Sequence, residues 1–253
     1  MQDLRNLMFE LSNIDRLDIL ILLRKKRLKL SHIAKKLKFT VPETARNVSR
    51  LCEVNLIAKD VQGDLHLTSY GKQTLVLLKG FNFITNYRGY FETHTVSTLP
   101  VEYQIGIGIL ENSTFENKLT TMLFNIENLI RGSKEYVWFV SDQLLASGLP
   151  LAVEAVKRGV EFKKILPRDI SIQQDILTIA NNPLFDKAAR AHKFESRYLD
   201  IIDVALFISE QVALISFPNA ENKFDYLGFI ITNEDAHRWT KDLYRYYWDK
   251  AKR

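Results

Sequence analysis

Thr40-Val41-Pro42-Glu43-Thr44-Ala45-Arg46-Asn47-Val48-Ser49-Arg50-Leu51-Cys52 decides how the front of this chain folds. Thr40 stands three residues before Glu43, the spacing of a reciprocal capping box, and Pro42 falls at an early helical position where its missing N–H costs nothing. A helix is therefore expected to begin at about Pro42. Ala45, Val48, Leu51 and Cys52 recur at helical spacing as its inward face, which turns Glu43, Thr44, Arg46, Asn47 and Arg50 outward. On its N-terminal side, Ser31 is placed to cap a helix of about two turns, with Ile33, Ala34 and Leu37 inward and Lys35, Lys36 and Lys38 outward. Earlier still, Ser12 or Asn13 caps a helix carrying Ile14, Leu17 and Ile19 to Leu23, which runs into Arg24 to Arg27. On the C-terminal side, Leu56 to Thr68 alternates about a Gln62-Gly63-Asp64 turn, a hairpin pattern. Thr68 or Ser69 then caps a helix with Leu75, Val76 and Leu78.

The order helix, helix, helix, hairpin, helix over residues 12–79 resembles the winged helix-turn-helix domain of bacterial and archaeal transcription regulators. The resemblance also rests on Leu51-Cys52-Glu53-Val54-Asn55-Leu56-Ile57 and on Leu67-Thr68-Ser69-Tyr70-Gly71-Lys72. Asn55 stands where that family commonly has Gly, and Asn also tolerates the left-handed conformation that ends a helix. A major groove about 12 Å wide admits one helix, and the third helix is the candidate. Arg46 and Arg50 are suited to guanine edges, Asn47 to adenine, and Thr44 to a thymine methyl or a phosphate. Lys35, Lys36 and Lys59 are suited to phosphates. With Thr40 these complete the expected DNA-contacting set. The alternative is a non-catalytic adaptor whose winged helix docks a protein partner.

Charge supports the nucleic-acid reading. Of the 253 residues, the first 75 hold 14 basic against 8 acidic side chains, leaving 21 against 22 elsewhere, so the net +5 is N-terminal in origin. Arg24 to Lys38 contains eight basic residues and no acid, a block suited to a polyanion, or more blandly to a solvated helix end. With 46% hydrophobic and 26% charged residues, the composition excludes collagen-like, low-complexity and wholly disordered chains. The longest stretch free of acid and base is Gln143 to Val153, eleven residues, too short to span a membrane. The single Cys52 cannot form an internal disulfide, and the first residues do not read as a secretory leader, so a cytoplasmic location is expected.

Residues 81–111 read as a connecting helix and loop between a domain at 1–80 and another at 112–253. Phe83, Tyr87, Tyr90-Phe91 and His94 recur at helical spacing and are expected to serve packing together with dimerisation. From Thr114 onward the pattern is α/β: a helix to Ile130, a strand at 135–141, a helix from Leu149 to Lys157, a strand at 160–166 and a helix at about 170–180. A polar stretch follows, then a hairpin at 204–208 and 212–216, a strand at 226–232, and a helix from Glu234 to Lys250. The order, with Ala155 to Phe162 ahead of Leu166-Pro167, resembles half of a phospholipase D-like fold. The catalytic His, Lys and Asp of that family would fall on Ile202, Val204 and Ser209, so no covalent phosphodiester chemistry is expected and the chain reads as a non-enzyme.

Across its whole length, through Tyr90-Phe91-Glu92-Thr93-His94, Leu99-Pro100, Ile105-Gly106 and a Trp- and Tyr-rich end, the chain resembles archaeal regulators with a methanogenesis regulatory protein middle domain. That resemblance implies a transcription regulator with a sensory C-terminal domain; a homodimer on double-stranded DNA is expected, its C-terminal domain binding an effector or supplying the subunit interface. By fold analogy a small-molecule effector would lie near Trp138, Ser141, Asp142, Arg168, Phe217 and Asn219. No cofactor or metal is expected. His32, His66, His94, His192 and His237 are scattered, and Cys52 reads as a core residue.

Overall fold

Local capping explains where the N-terminal elements of the computed structural model begin and end. The structure describes residues 2–170 and 182–253; apart from Ile170, the helix expected at about 170–180 lies outside the described residues. The chain divides into two compact units, Met1–Phe81 and Asn82–Arg253. The first holds α1 (Gln2–Leu11), α2 (Ile14–Leu23), α3 (Leu30–Leu37), α4 (Val41–Glu53), β1 (Ile57–Lys59), β2 (Leu65–Leu67) and the start of α5 (Ser69–Asn86). Asn13 caps α2, accepting from the Arg16 amide at 3.0 Å. Both halves of the Thr40/Glu43 box are present, each at 3.3 Å. Asn55 adopts φ 58°, the left-handed turn that releases the chain from α4 into β1. Thr68 Oγ1 accepts from the Gly71 amide at 2.9 Å at the start of α5. A side chain at Gly71 would meet the Leu56 carbonyl oxygen 2.0 Å away, so this close approach requires glycine.

Four features differ from the sequence expectation. The helix α1 was not anticipated. Lys29, not Ser31, is the N-cap of α3, and Ser31 lies exposed in its first turn. On α4, Thr44 is fully buried and its hydroxyl donates to the Thr40 carbonyl at 2.9 Å, whereas Ala45 is exposed. The inward face is thus Thr44, Val48 and Leu51, at positions i, i+4 and i+7. Leu28 exchanges two backbone hydrogen bonds with Leu65, 3.0 and 2.8 Å, extending the hairpin beyond its two strands.

The second unit contains α6 (Arg88–Phe91), α7 (Val101–Ile105), a 3-10 segment (Gly106–Asn112), β3 (Thr114–Glu116), α8 (Leu119–Gly132), β4 (Tyr136–Val140), α9 (Gly148–Lys157) and β5 (Glu161–Pro167). After residue 182 come α10 (Pro183–Arg190), β6 (Phe194–Leu199), β7 (Ala205–Ser209), β8 (Ala213–Ser216), β9 (Gly228–Ile231) and α11 (Glu234–Lys250). The sheet order is β3-β9-β8-β7-β4-β5-β6, parallel across β4, β5 and β6 and antiparallel elsewhere. The chain is therefore mixed α/β. Thr114 opens an edge strand rather than a helix, and the stretch after Pro183 holds α10 and β6 rather than a loop.

One core cluster joins α11 to an aromatic group in which Phe83, Phe217, Phe229 and Tyr244 are almost wholly buried. The other joins α8, α9 and α10 through Met122, Ile126, Ala155, Phe162 and Phe185. Phe83, Tyr90 and His94 are interior. Tyr90 accepts from the Phe217 amide at 2.9 Å, and His94 Nε2 lies 3.0 Å from Asp225. The packing expected of this row is present in Phe83, Tyr90 and His94, while Tyr87 and Phe91 are half-buried.

Candidate nucleic-acid interface

Lys35 and Lys36 stand exposed in the last turn of α3, and Lys38 follows in the left-handed conformation at φ 59°. That turn delivers the chain to Thr40, which is exposed at the start of α4. Arg46 is exposed on α4, Asn47 is half-buried, and Lys59 is exposed at the end of β1. Seven of the eight sequence-derived residues therefore keep accessible side chains in the first unit: Lys35, Lys36, Thr40, Arg46, Asn47, Arg50 and Lys59.

Two of the eight, Thr44 and Arg50, engage partners within the unit. Thr44 spends its hydroxyl on the preceding turn and has no exposed surface. Arg50 Nη2 donates to Glu10 Oε1 at 2.5 Å and its Nη1 lies 3.5 Å from Glu53. Glu10, buried on α1, also sits 3.0 Å from Arg16 Nε, which donates to the Glu10 carbonyl at 2.8 Å. Arg50 thus fastens α4 to α1. Arg27 is similarly engaged, 3.2 Å from Asp60. Asp60 closes the hairpin turn by accepting from the Asp64 and Gln62 amides, and those hydrogen bonds, with Arg27, hold its carboxyl below the ordinary range.

The six residues expected around an effector engage separate partners in the second unit. Trp138 donates to Glu161 at 2.8 Å and stacks on Tyr244. Ser141 and Asp142 both hydrogen-bond the Tyr226 hydroxyl. Arg168 pairs with Asp200 at 2.9 Å, Phe217 is wholly buried, and the Asn219 side chain accepts from the Glu221 and Lys223 amides. None of the six lines the apolar cavity that this unit carries. That cavity has a volume of about 50 Å³ and lies between the sheet and α8, α9 and α10. Phe139, Phe162, Phe194 and Phe207 rise into it from four strands, with Lys164 among them. Its sequence signal was the parity of β5, since Lys164 shares a face with Phe162.

Ile202 and Val204, where a phospholipase would place His and Lys, are buried aliphatic residues. The Ser209 hydroxyl accepts from the Gln211 and Val212 amides. Among the described residues no group of three or more His, Cys, Asp or Glu is gathered to hold a metal, and no helix is long and apolar enough to cross a membrane. Cys52 is half-buried, and burial together with Glu53 pushes its thiol pKa up, away from reactivity.

Residues 121–250 match the family described as methanogenesis regulatory protein FilR1, middle domain. The chain belongs to that family, as the resemblance in its sequence implied. Among solved structures it is similar to TrmBL2, an archaeal chromatin protein whose structure shows a novel mode of DNA binding. That similarity is at 13% identity with a TM-score of 0.45, covering 95% of this chain and 94% of the other. It is also similar to Nuc, a phospholipase D family member from Salmonella typhimurium, at 12% identity and TM-score 0.40, covering 51% and 88%. NucT from Helicobacter pylori is similar at 9% and 0.38, covering 55% and 96%. No curated protein matches the chain.

Proposed function

We propose that this protein is a DNA-binding transcription regulator that acts as a homodimer in the cytoplasm. Its N-terminal unit reads duplex DNA with α4, and its C-terminal unit senses a small-molecule effector or joins the subunits. The observation that carries the reading is the exposed set Lys35, Lys36, Thr40, Arg46 and Lys59, placed on α3, on α4 with its capping box, and on the hairpin. Arg46 and Asn47 are the base-reading candidates. Lys35, Lys36 and Lys59 neutralise phosphates, and Thr40 donates to one. In a dimer the two copies of α4 would lie about 34 Å apart, one turn of duplex, on a near-palindromic operator.

A salt titration of duplex binding tests this. Each phosphate contact releases counterions, so Lys35→Ala and Lys36→Ala should each reduce the slope of log K against log salt by about one. Arg46→Ala should flatten the preference among sequences while leaving nonspecific binding largely intact. A salt-independent interaction, or full sequence preference in Arg46→Ala, refutes the proposal.

A further inference from the structure

Lysine rarely occupies the core face of an inner strand, because an ammonium withdrawn from water must find compensation. β5 lies between β4 and β6, and Lys164 pairs with Phe139, which in turn pairs with Phe207; Phe162 pairs with Phe194. The ammonium of Lys164 lies 5.1 Å from the Phe194 ring centre, a cation–π contact. Among the described residues Lys164 is the one ionisable side chain lining the cavity, and no carboxylate there pairs with it. Burial alone pushes its pKa down to about 8, so it still carries its proton at pH 7. An apolar recess with a single charge at its wall has a preferred occupant: an anionic group joined to an apolar body.

We propose that the cavity bounded by Phe139, Phe162, Phe194, Phe207 and α9 binds a small carboxylate with an aromatic or short aliphatic body, its carboxylate paired with Lys164. The recess of about 50 Å³ is several times the roughly 10–15 Å³ that one water needs and is partly open to solvent, so it admits part of such a body, the rest of which stays at its mouth. Rings and aliphatic carbons meet the phenylalanines, Leu149 and Ala152, and the ammonium gains a partner that the described residues do not supply. This gives the proposed effector a chemical class. It rests on the regulator reading only for its consequence on DNA, not for the binding itself.

Titration calorimetry on the full chain tests it with benzoate and hexanoate against the uncharged benzyl alcohol and hexanol. The carboxylates should bind at least about 10-fold more tightly than their alcohols, and Lys164→Met, which keeps the volume, should erase that preference. Equal affinity for acid and alcohol, a preference that survives in Lys164→Met, or no binding of either acid overturns the site. If Lys164→Met does not fold, Ala152→Leu, which narrows the recess and keeps the ammonium, must abolish benzoate binding. Duplex binding is measured in parallel. Lys164-dependent benzoate binding without duplex binding removes the regulator reading and leaves the site, whereas duplex binding without carboxylate binding removes the site alone.

Discussion

Glu10 Oε1 accepts from Arg50 Nη2 across 2.5 Å, joining the buried carboxylate of α1 to the helix proposed to read DNA. The two arginines of α4 therefore have different work. Truncating Arg50 leaves Glu10 buried with Arg16 as its remaining partner, and an uncompensated buried acceptor costs about 1–3 kcal/mol. Arg46 is exposed, and its truncation should change stability by no more than about 0.5 kcal/mol. Urea unfolding of Arg50→Ala and Arg46→Ala measures the contrast. Equal stabilities would show that the Glu10 contact contributes nothing to the fold, while a large loss in Arg46→Ala would mean that its side chain packs rather than reads.

Asn55 carries the turn between α4 and β1 at φ 58°. A residue with a Cβ and no side-chain amide pays about 1–2 kcal/mol to hold that conformation, and glycine pays nothing sterically. Asn55→Ala should lower the stability of the first unit by about 1 kcal/mol, and Asn55→Gly should leave it unchanged or raise it. The ordering Gly at or above Asn, then Ala, is the result sought in chemical denaturation. An alanine variant as stable as the parent would mean the chain escapes α4 by another route.

Why Asn55 was readable from sequence and Arg50 was not comes down to separation along the chain. The Thr40/Glu43 box, the Asn55 turn and the Gly63 turn each close through hydrogen bonds between residues no more than five apart, so these bonds are written locally. The partner of Arg50 lies forty residues away on a helix of mixed composition. Faces are harder to read than ends. Thr44 and Ala45 exchanged places because a small polar residue and a small apolar one give little contrast, and the Thr40 carbonyl made Thr44 a satisfied core residue. At the sheet margins β3 and β6 escaped notice for a different reason. Both are edge strands, and β6 alternates Glu195 and Arg197 with partly buried neighbours, the pattern by which edges resist further pairing. The effector positions followed an analogy about strand ends, whereas the cavity opens on a strand face, where Lys164, with Gln143 from the loop after β4, departs from apolar lining.

Gly228 is a second test of close approach, this time between β8 and β9. A Cβ there would stand 2.1 Å from the Ile215 carbonyl oxygen, a backbone atom that cannot rotate away. Gly228→Ala must spread the two strands in the middle of an apolar sheet, and overpacking of this kind costs about 1–3 kcal/mol or more. Loss of the second unit's thermal transition, or its displacement by several degrees to lower temperature, is expected while the first unit's hydrogen-exchange protection persists. An unshifted transition would mean that β9 does not press against Ile215.

Lys164 makes stability depend on pH in a direction that can be worked out. Its ordinary pKa of 10.5 falls to about 8 in the folded chain because burial disfavours the charge. Below about pH 8 both folded and unfolded chains hold the proton, so the folded state bears the whole cost of the buried ammonium. Between about 8 and 10.5 the unfolded chain binds more protons, and stability rises with pH; above that range the cost is gone. At about 1.36 kcal/mol for each pH unit, the interval bounds the cost at roughly 3 kcal/mol. Other groups titrate in the same range, Cys52 and tyrosines among them, but they are common to the parent and to Lys164→Met. The variant should therefore be the more stable at pH 7, by up to roughly 3 kcal/mol, with the gap closing as the pH rises from 8 to 10.5. Urea unfolding of both proteins across that range measures it. A gap that stays constant with pH would place the ammonium in water, outside the recess in which a carboxylate is proposed to bind.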